Sequence, residues 1–313
     1  MRICIVGLGS IGIRHIKNLL CIGQMRNIRM DIDALRSGKK NIDISIKKAI
    51  QKEYYDIDNL PEDYDIIFIT NPTNMHFEML SKIINKTKHV FIEKPVFDHC
   101  DYDIHDLNLI PGNIYYVACP LRYTPVIRHL KKIISSEVIY SVRAISSSYL
   151  PSWRKNVDYR TIYSAKKSMG GGVSLDLIHE WDYLIYLFGF PEKVLNLKGK
   201  YSGLEIDSDD ISIYLAQYKD KLVEVHLDYF GRNTVRRLEL LCKEYVIYAD
   251  FIEQKIEFIG EKNDILKFEL EDCYINEMNY FFDIIMNHAE NSNDINIAYQ
   301  TLRTVLKNEM QGV

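Results

Sequence analysis

Along roughly the first third of the chain, short apolar runs rich in β-branched residues alternate with longer stretches in which apolar residues recur every three or four positions. Ile3 to Val6 is a fully apolar run, the mark of a strand covered on both faces in a parallel sheet. Ile28–Leu35, Asp65–Thr70, Lys88–Ile92 and Ile114–Ala118 read as further strands. Between them, Ile13–Ile22, Asn41–Lys52 and a segment ending near Lys86 read as helices. A strand, turn, helix rhythm of this kind predicts a doubly wound parallel sheet whose ligand lies beyond the carboxyl ends of its strands.

Past Cys119 the pattern changes. Tyr123–Ser135 predicts a helix, and Val138–Ser147 alternates as a strand with one buried face. A polar, aromatic segment from Leu150 to Ala165 is too long for a simple connection, and its Trp, Tyr and Arg content favours an ordered loop facing a ligand. Gly170-Gly171-Gly172 then opens a helix expected to run to about Phe188, where Gly189 and Pro191 stop it. Strands follow at Ile211–Tyr218, Lys221–Tyr229, Val235–Cys242, Glu244–Asp250, Lys255–Ile259 and Ile265–Glu269, with the short turns of antiparallel pairing. Two helices, Ile275–Ala289 and Asp294–Met310, close the chain. With 313 residues the chain is long for a single core, and it divides into a first domain at 1–120 and a second at 121–313.

Composition narrows the function classes. Hydrophobic residues make up 47% and charged residues 26%, which argues for a globular fold and against disorder. A net charge of -4 gives no electrostatic reason to expect nucleic acid as a partner. Cys4, Cys21, Cys100, Cys119, Cys242 and Cys273 are scattered with no C-x-x-C pair, so neither a metal site nor a disulfide framework is expected. The first residues lack the pattern of a targeting segment and no apolar run approaches membrane-spanning length, so a cytoplasmic protein with no membrane partner is expected.

Candidate chemistry clusters at the predicted strand ends. Gly7-Leu8-Gly9-Ser10-Ile11-Gly12 directly follows the first strand. In such a hexapeptide the first glycine makes a tight turn, the second lets the backbone approach a pyrophosphate, and the third lets helix and strand pack closely. The helix amino terminus that follows then presents free N–H groups to phosphate, with Ser10 and Ile11 of the turn among the expected cofactor contacts. At the end of the second strand, Asp31 and Asp33 fall inside the run, whereas Arg36 and Ser37 sit at its tip. An acid there suits NAD and a basic residue NADP, so NADP is the preferred cofactor and NAD the alternative. Asn71, Pro72, Asn74 and His76 follow the next strand, with Thr73 or Asn74 as a helix cap, and Glu93-Lys94-Pro95 follows the strand after that. In the second half, Asp176, His179 and Tyr183 are spaced to share one face of the predicted helix.

Taken together, the G-x-G-x-x-G, the turn carrying Asn74 and His76, Glu93-Lys94-Pro95, Leu121-Arg122-Tyr123-Thr124-Pro125 and the GG...D...H..D segment resemble the glucose-fructose oxidoreductase, inositol dehydrogenase and MocA family (Gfo/Idh/MocA). The resemblance implies a Rossmann domain followed by an α/β domain with a large, mostly antiparallel open sheet. It also implies NAD(P)-dependent oxidation or reduction of hydroxyl and keto groups on sugars, cyclitols or nucleotide sugars, and a homo-oligomer, dimer or tetramer, joined through the second sheet. The family's catalytic lysine and histidine map onto Lys94 and His179, with Asp176 as a further site residue. Glu93 and Lys94 join Gly7, Gly9, Ser10, Ile11, Gly12, Arg36, Ser37, Asn71, Pro72, Asn74 and His76 as the expected cofactor contacts. Arg122, Tyr159, Arg160, Tyr163 and His179 are the expected substrate contacts, and Asp176 stands three positions before His179 where many members have four. The alternative is a non-catalytic nucleotide-binding regulator or sugar sensor on the same scaffold.

Overall fold

The computed structural model describes residues 1–39, 41–261 and 263–307. Two compact units result, one formed by 1–118 with 274–300 and the other by 119–273 with 301–307.

The first unit is built on a six-stranded parallel sheet in the order β3-β2-β1-β4-β5-β6. Its strands are β1 (Arg2–Val6), β2 (Asp31–Leu35), β3 (Ile50–Tyr54), β4 (Tyr64–Ile69), β5 (Thr87–Ile92) and β6 (Ile114–Val117). The intervening helices are α1 (Ser10–Arg26), α2 (Ile44–Ala49) and α3 (His76–Ile83). Gly12, His15, Ile16, Leu19 and Ile22 form the buried stripe of α1. The helix ends at Asn27, which takes the left-handed conformation, with φ 54°, and closes the last turn. The helix expected over 41–52 is half strand. Ile50–Tyr54 pairs in parallel with β2, so the sheet edge captured a segment whose own periodicity favours a helix.

The second unit carries an eight-stranded sheet in the order β14-β13-β12-β11-β7-β10-β9-β8. It opens with α4 (Pro125–Ile133) and β7 (Ile139–Tyr149), continues through α5 (Val173–Asp176) and α6 (His179–Phe188), and then runs through β8 (Lys193–Gly199), β9 (Ile211–Gln217) and β10 (Leu222–Asp228). The last strands are β11 (Phe230–Cys242), β12 (Tyr245–Asp250), β13 (Lys255–Gly260) and β14 (Asp264–Lys267). Every pairing is antiparallel except β10 with β7. One face is buried: Val142, Ala144, Tyr214, Val225, Leu240 and Ile247 have little or no exposed surface, and Trp181 of α6 packs edge-on against Tyr214.

The last helices are α7 (Cys273–Asn287) and α8 (Ile295–Leu306). Residues 274–300 pack with the first unit, where Phe281 of α7 meets Phe68, Phe91 and Tyr116 edge-on or tilted at centroid distances of 5.2–6.0 Å. The expected helix through Met310 ends at Leu306, and residues 308–313 lie outside the described chain.

Candidate active site

At the carboxyl ends of β1 and β4 the glycines leave a shaped gap. Gly7 has φ +93°, and a Cβ there would stand 2.9 Å from the Asn71 nitrogen. A Cβ on Gly12 would meet the Gly7 carbonyl oxygen at 2.2 Å and Thr70 Oγ1 at 2.7 Å, so α1 can approach β1 this closely only through glycine. Gly9 differs: a Cβ there would meet nothing within 4 Å, so the backbone borders open space at the start of α1. Ser10 and Ile11 form that first turn, which holds no acidic residue and no side-chain cap. Its N–H groups and dipole therefore remain available to an anion. Beside it, the side-chain nitrogen and oxygen of Asn71 are both buried and make no hydrogen bond. Since buried amides are ordinarily paired, this side chain fits a ligand carrying both donors and acceptors. Open space over Gly9, an uncapped helix start and an orphaned amide together match a dinucleotide.

Pro72 and Asn74 lie on the exposed turn between β4 and α3, and neither Thr73 nor Asn74 caps a helix there. His76, the first residue of α3, is turned into the protein. Its Nδ1 lies 3.1 Å from the carbonyl oxygens of both Pro95 and Val96, and its Nε2 lies 3.0 Å from that of Asn71. The ring thus ties the loop after β4 to the loop after β5. Burial holds the His76 pKa below the ordinary histidine value, although the three carbonyls favour the proton. The sign of its pH effect follows. Below the unfolded value of 6.5 the unfolded chain binds the proton more readily than the folded one, so this contribution to stability is full above 6.5 and is lost as pH falls toward the folded value. Denaturant midpoints between pH 7.5 and 5 are expected to fall more steeply for the wild type than for His76→Gln, and parallel curves would contradict this.

Glu93 and Lys94 follow β5, and the Lys94–Pro95 peptide is cis. Lys94 is half-buried. Glu93 turns inward, with Oε1 2.5 Å from His15 Nε2 on α1 and Oε2 accepting the Lys94 backbone N–H at 3.2 Å. Burial opposes its ionisation, but the hydrogen bond and charge of His15, with Lys94 nearby, outweigh burial and hold its pKa below the usual carboxylate range. Sequence reasoning placed Glu93 against the cofactor and missed His15, whose only signal was its place on the buried stripe of α1 three residues after Gly12.

Arg36 caps the end of β2, largely buried, and donates to Glu53 Oε2 of β3 at 2.6 Å. Tyr55 Oη donates to the same oxygen at 2.6 Å. Ser37 is exposed beside Arg36. Asp33 is drawn away from the strand tip, accepting from Tyr64 Oη at 2.8 Å and pairing with Arg2 at 3.4 Å.

In the second unit the expected single helix is two. Leu177 and Ile178 break it, leaving Asp176 at the end of α5 and His179 at the start of α6, so these two do not share a helix face. The loop at Asp209 secures the first piece, taking Val173 N–H on its carbonyl at 2.9 Å and the Ser174 hydroxyl on Oδ2 at 2.7 Å. Asp176 is buried and accepts the Tyr229 hydroxyl at 2.5 Å, and Tyr163 from the preceding loop also bonds it. Burial, then the Asp176 charge, pushes both phenols well above their ordinary range. Trp153 packs edge-on against Tyr229 at 5.3 Å and donates to Ser148 Oγ at 2.9 Å. Tyr163, Asp176, Tyr229 and Trp153 thus form one polar-aromatic cluster, of which Tyr229 carried no motif in the sequence.

His179 is half-buried, and its neighbour Glu180 is fully buried against Arg236 of β11 at 2.7 Å. Burial pushes the Glu180 carboxyl up against the opposing pull of Arg236. Arg122, expected to contact substrate, is buried in the second unit. It makes a two-pronged ion pair with Asp182 of α6, at 2.9 and 2.7 Å, and lies over the Tyr186 ring. Arg160 pairs with Asp158 and Glu205 at the surface, and Tyr159 Oη accepts the Glu205 N–H at 3.1 Å. Among the described residues no cluster of His, Cys, Asp or Glu could hold a metal, and no helix is long and apolar enough to cross a membrane.

Residues 1–103 match the NAD-binding Rossmann fold of an oxidoreductase family, designated GFO_IDH_MocA, and residues 131–271 match that family's C-terminal alpha/beta domain. The uncharacterized oxidoreductase YrbE of Bacillus subtilis (strain 168) is 30% identical over 200 residues, spanning 62% of this chain and 56% of that protein. The myo-inositol 2-dehydrogenase of Thermotoga maritima is 26% identical over 304 residues, covering 90% of this chain and 87% of its own. A levoglucosan dehydrogenase solved in complex with NADH and levoglucosan superposes with a TM-score of 0.81 at 16% identity, over 97% of this chain and 95% of that one.

Proposed function

We propose that this chain, which belongs to the Gfo/Idh/MocA oxidoreductase family, interconverts a hydroxyl and a ketone on a sugar, cyclitol or nucleotide sugar using a nicotinamide dinucleotide. The observation that carries this reading is the open space over Gly9 at the start of α1, beside the orphaned Asn71 amide and with Lys94 at the end of the neighbouring strand β5. A bound dinucleotide supplies or accepts the hydride. The residues of the chain bind it, orient it and move one proton. Gly7 and Gly12 hold β1 against α1, and the Gly9 backbone and first helical turn receive the phosphates. Lys94 and His179 handle the proton of the reacting oxygen, accepting it during oxidation and returning it during reduction. Tyr163 and Tyr229 keep the Asp176 carboxylate supplied with donors, which makes Asp176 an orienting group for substrate hydroxyls.

NADP is the preferred dinucleotide because Arg36 and Ser37 occupy the tip of β2 while Asp33 is engaged with Tyr64 and Arg2. NAD is the alternative. Arg36→Ala is expected to lower kcat/KM with NADP about tenfold relative to NAD. An unchanged ratio would remove Arg36 from cofactor selection.

The outer face of the second sheet is assigned to a second copy of the chain, in a dimer or tetramer. Leu195 and Leu197 of β8 lie opposite Leu215 and Ile213 of β9, and all four are exposed. In sedimentation velocity, Leu197→Glu with Leu215→Glu is expected to move the protein to monomer, and a wild type that already sediments as monomer would overturn the assignment. The chemistry itself is tested by a panel of sugars, cyclitols and nucleotide sugars with both dinucleotides, followed by absorbance of the reduced nicotinamide. Turnover on a member supports the reading, and silence across the panel favours the sensor.

A further inference from the structure

The interior of the first unit spends a histidine where an apolar residue would pack. His15 is 1% exposed on the buried stripe of α1, between Phe68 and Phe91 at ring-centroid distances of 5.5 and 5.0 Å. Its Nδ1 is buried with no hydrogen-bond partner, which is unfavourable for a polar atom. The polar contact of the ring is Nε2 against Glu93 Oε1 at 2.5 Å, and the other oxygen of that carboxylate accepts the Lys94 backbone N–H at 3.2 Å. An ionised carboxylate accepts only, so Nε2 carries the donated proton. A buried carboxylate without such a donor would take up a proton itself.

We propose that His15 is a positioning residue that acts through Glu93, holding an ionised carboxylate against Lys94 and thereby setting both the backbone placement and the charge environment of that lysine. The proposal rests on the reading of Lys94 as the proton-handling group. It gives the helix that receives the cofactor phosphates and the loop that carries the lysine a common buried anchor within one unit. The charged and titratable groups acting on Glu93 are His15 from α1, Lys94 from its own loop and His76 from α3. Negative charge at Glu93 favours the ammonium form of Lys94, and loss of that charge, whether by replacing Glu93 or by its protonation once His15 no longer donates to it, disfavours it. Both routes therefore move Lys94 the same way.

The test uses the full chain labelled with 13C at lysine Cε, with the Lys94 signal identified by its absence in Lys94→Arg, and follows its shift against pH. Glu93→Gln, nearly isosteric, is expected to lower the Lys94 titration midpoint by about one pH unit, a tenfold change in acid dissociation. His15→Ala is expected to move it in the same direction, and His15→Gln, whose amide reaches the position of Nε2 and donates to Glu93, is expected to restore it. An unmoved midpoint in Glu93→Gln overturns the proposal, as does a His15→Gln midpoint that matches His15→Ala. Should His15→Ala fail to fold, Glu93→Gln and His15→Gln decide the matter between them. No substrate is needed, so a shifted midpoint with a silent substrate panel would sink the proposed reaction and leave the anchor standing, whereas turnover with an unmoved midpoint would do the reverse.

Discussion

Lys94→Ala is expected to lower kcat by about 10²–10⁴-fold while dinucleotide affinity is retained. The two effects separate because different atoms carry them. In the proposed reading the phosphates meet backbone at Gly9, which borders open space, and at the uncapped first turn of α1. In the same reading the lysine side chain serves the reacting oxygen instead. The measurement is steady-state turnover on an active member of the sugar panel, paired with a fluorescence titration of the reduced dinucleotide. Unchanged turnover would defeat the assignment of Lys94, and loss of cofactor binding in parallel with turnover would make the residue a cofactor ligand only.

The second large effect concerns stability. Arg122→Ala is expected to cost about 3–5 kcal/mol in urea unfolding, because it leaves the Asp182 carboxylate buried without its partner. Side-chain exposures of 3% and 10% for the pair place it in the protein interior, where an uncompensated charge is costly. Replacing both residues by apolar ones, Arg122→Met with Asp182→Leu, is expected to recover most of the loss, since desolvation of the pair offsets much of its attraction. Sequence reasoning assigned Arg122 to the substrate. If Arg122→Ala left stability unchanged and raised only KM, that assignment would be supported and the ion pair would be incidental.

Much of the first unit was legible because its signals are local. A buried parallel strand needs a continuous apolar run, a phosphate-binding turn needs glycine at fixed spacings, and both requirements are written within a few residues. The strand at 193–199 was illegible for the opposite reason. Its leucines at 195 and 197 face outward, while Asn196 is buried and donates to Ser212 Oγ at 2.8 Å and to the Ile213 carbonyl at 2.9 Å. The pattern is that of an inverted strand, and only its neighbour β9 makes sense of it. The helix split at Leu177 was hidden similarly. Helical spacing from Gly172 to Phe188 is unbroken in the sequence, and the bonds that hold the first piece come from Asp209, more than thirty positions away.

The sequence by itself determined the fold class, the glycine turn after β1, the place of Lys94 at a strand end and the family, because each depends on short-range spacing or on residue types in order. Tertiary structure alone decided the partners of the charged groups: Arg122 with Asp182, Arg36 with Glu53, Glu93 with His15, Asp176 with Tyr229. Charged side chains reach any element the fold brings near, and burial decides which pairs form, since an unpaired charge in the interior costs more than any local preference returns. Their chemistry is therefore set by neighbours that the order of residues along the chain does not reveal.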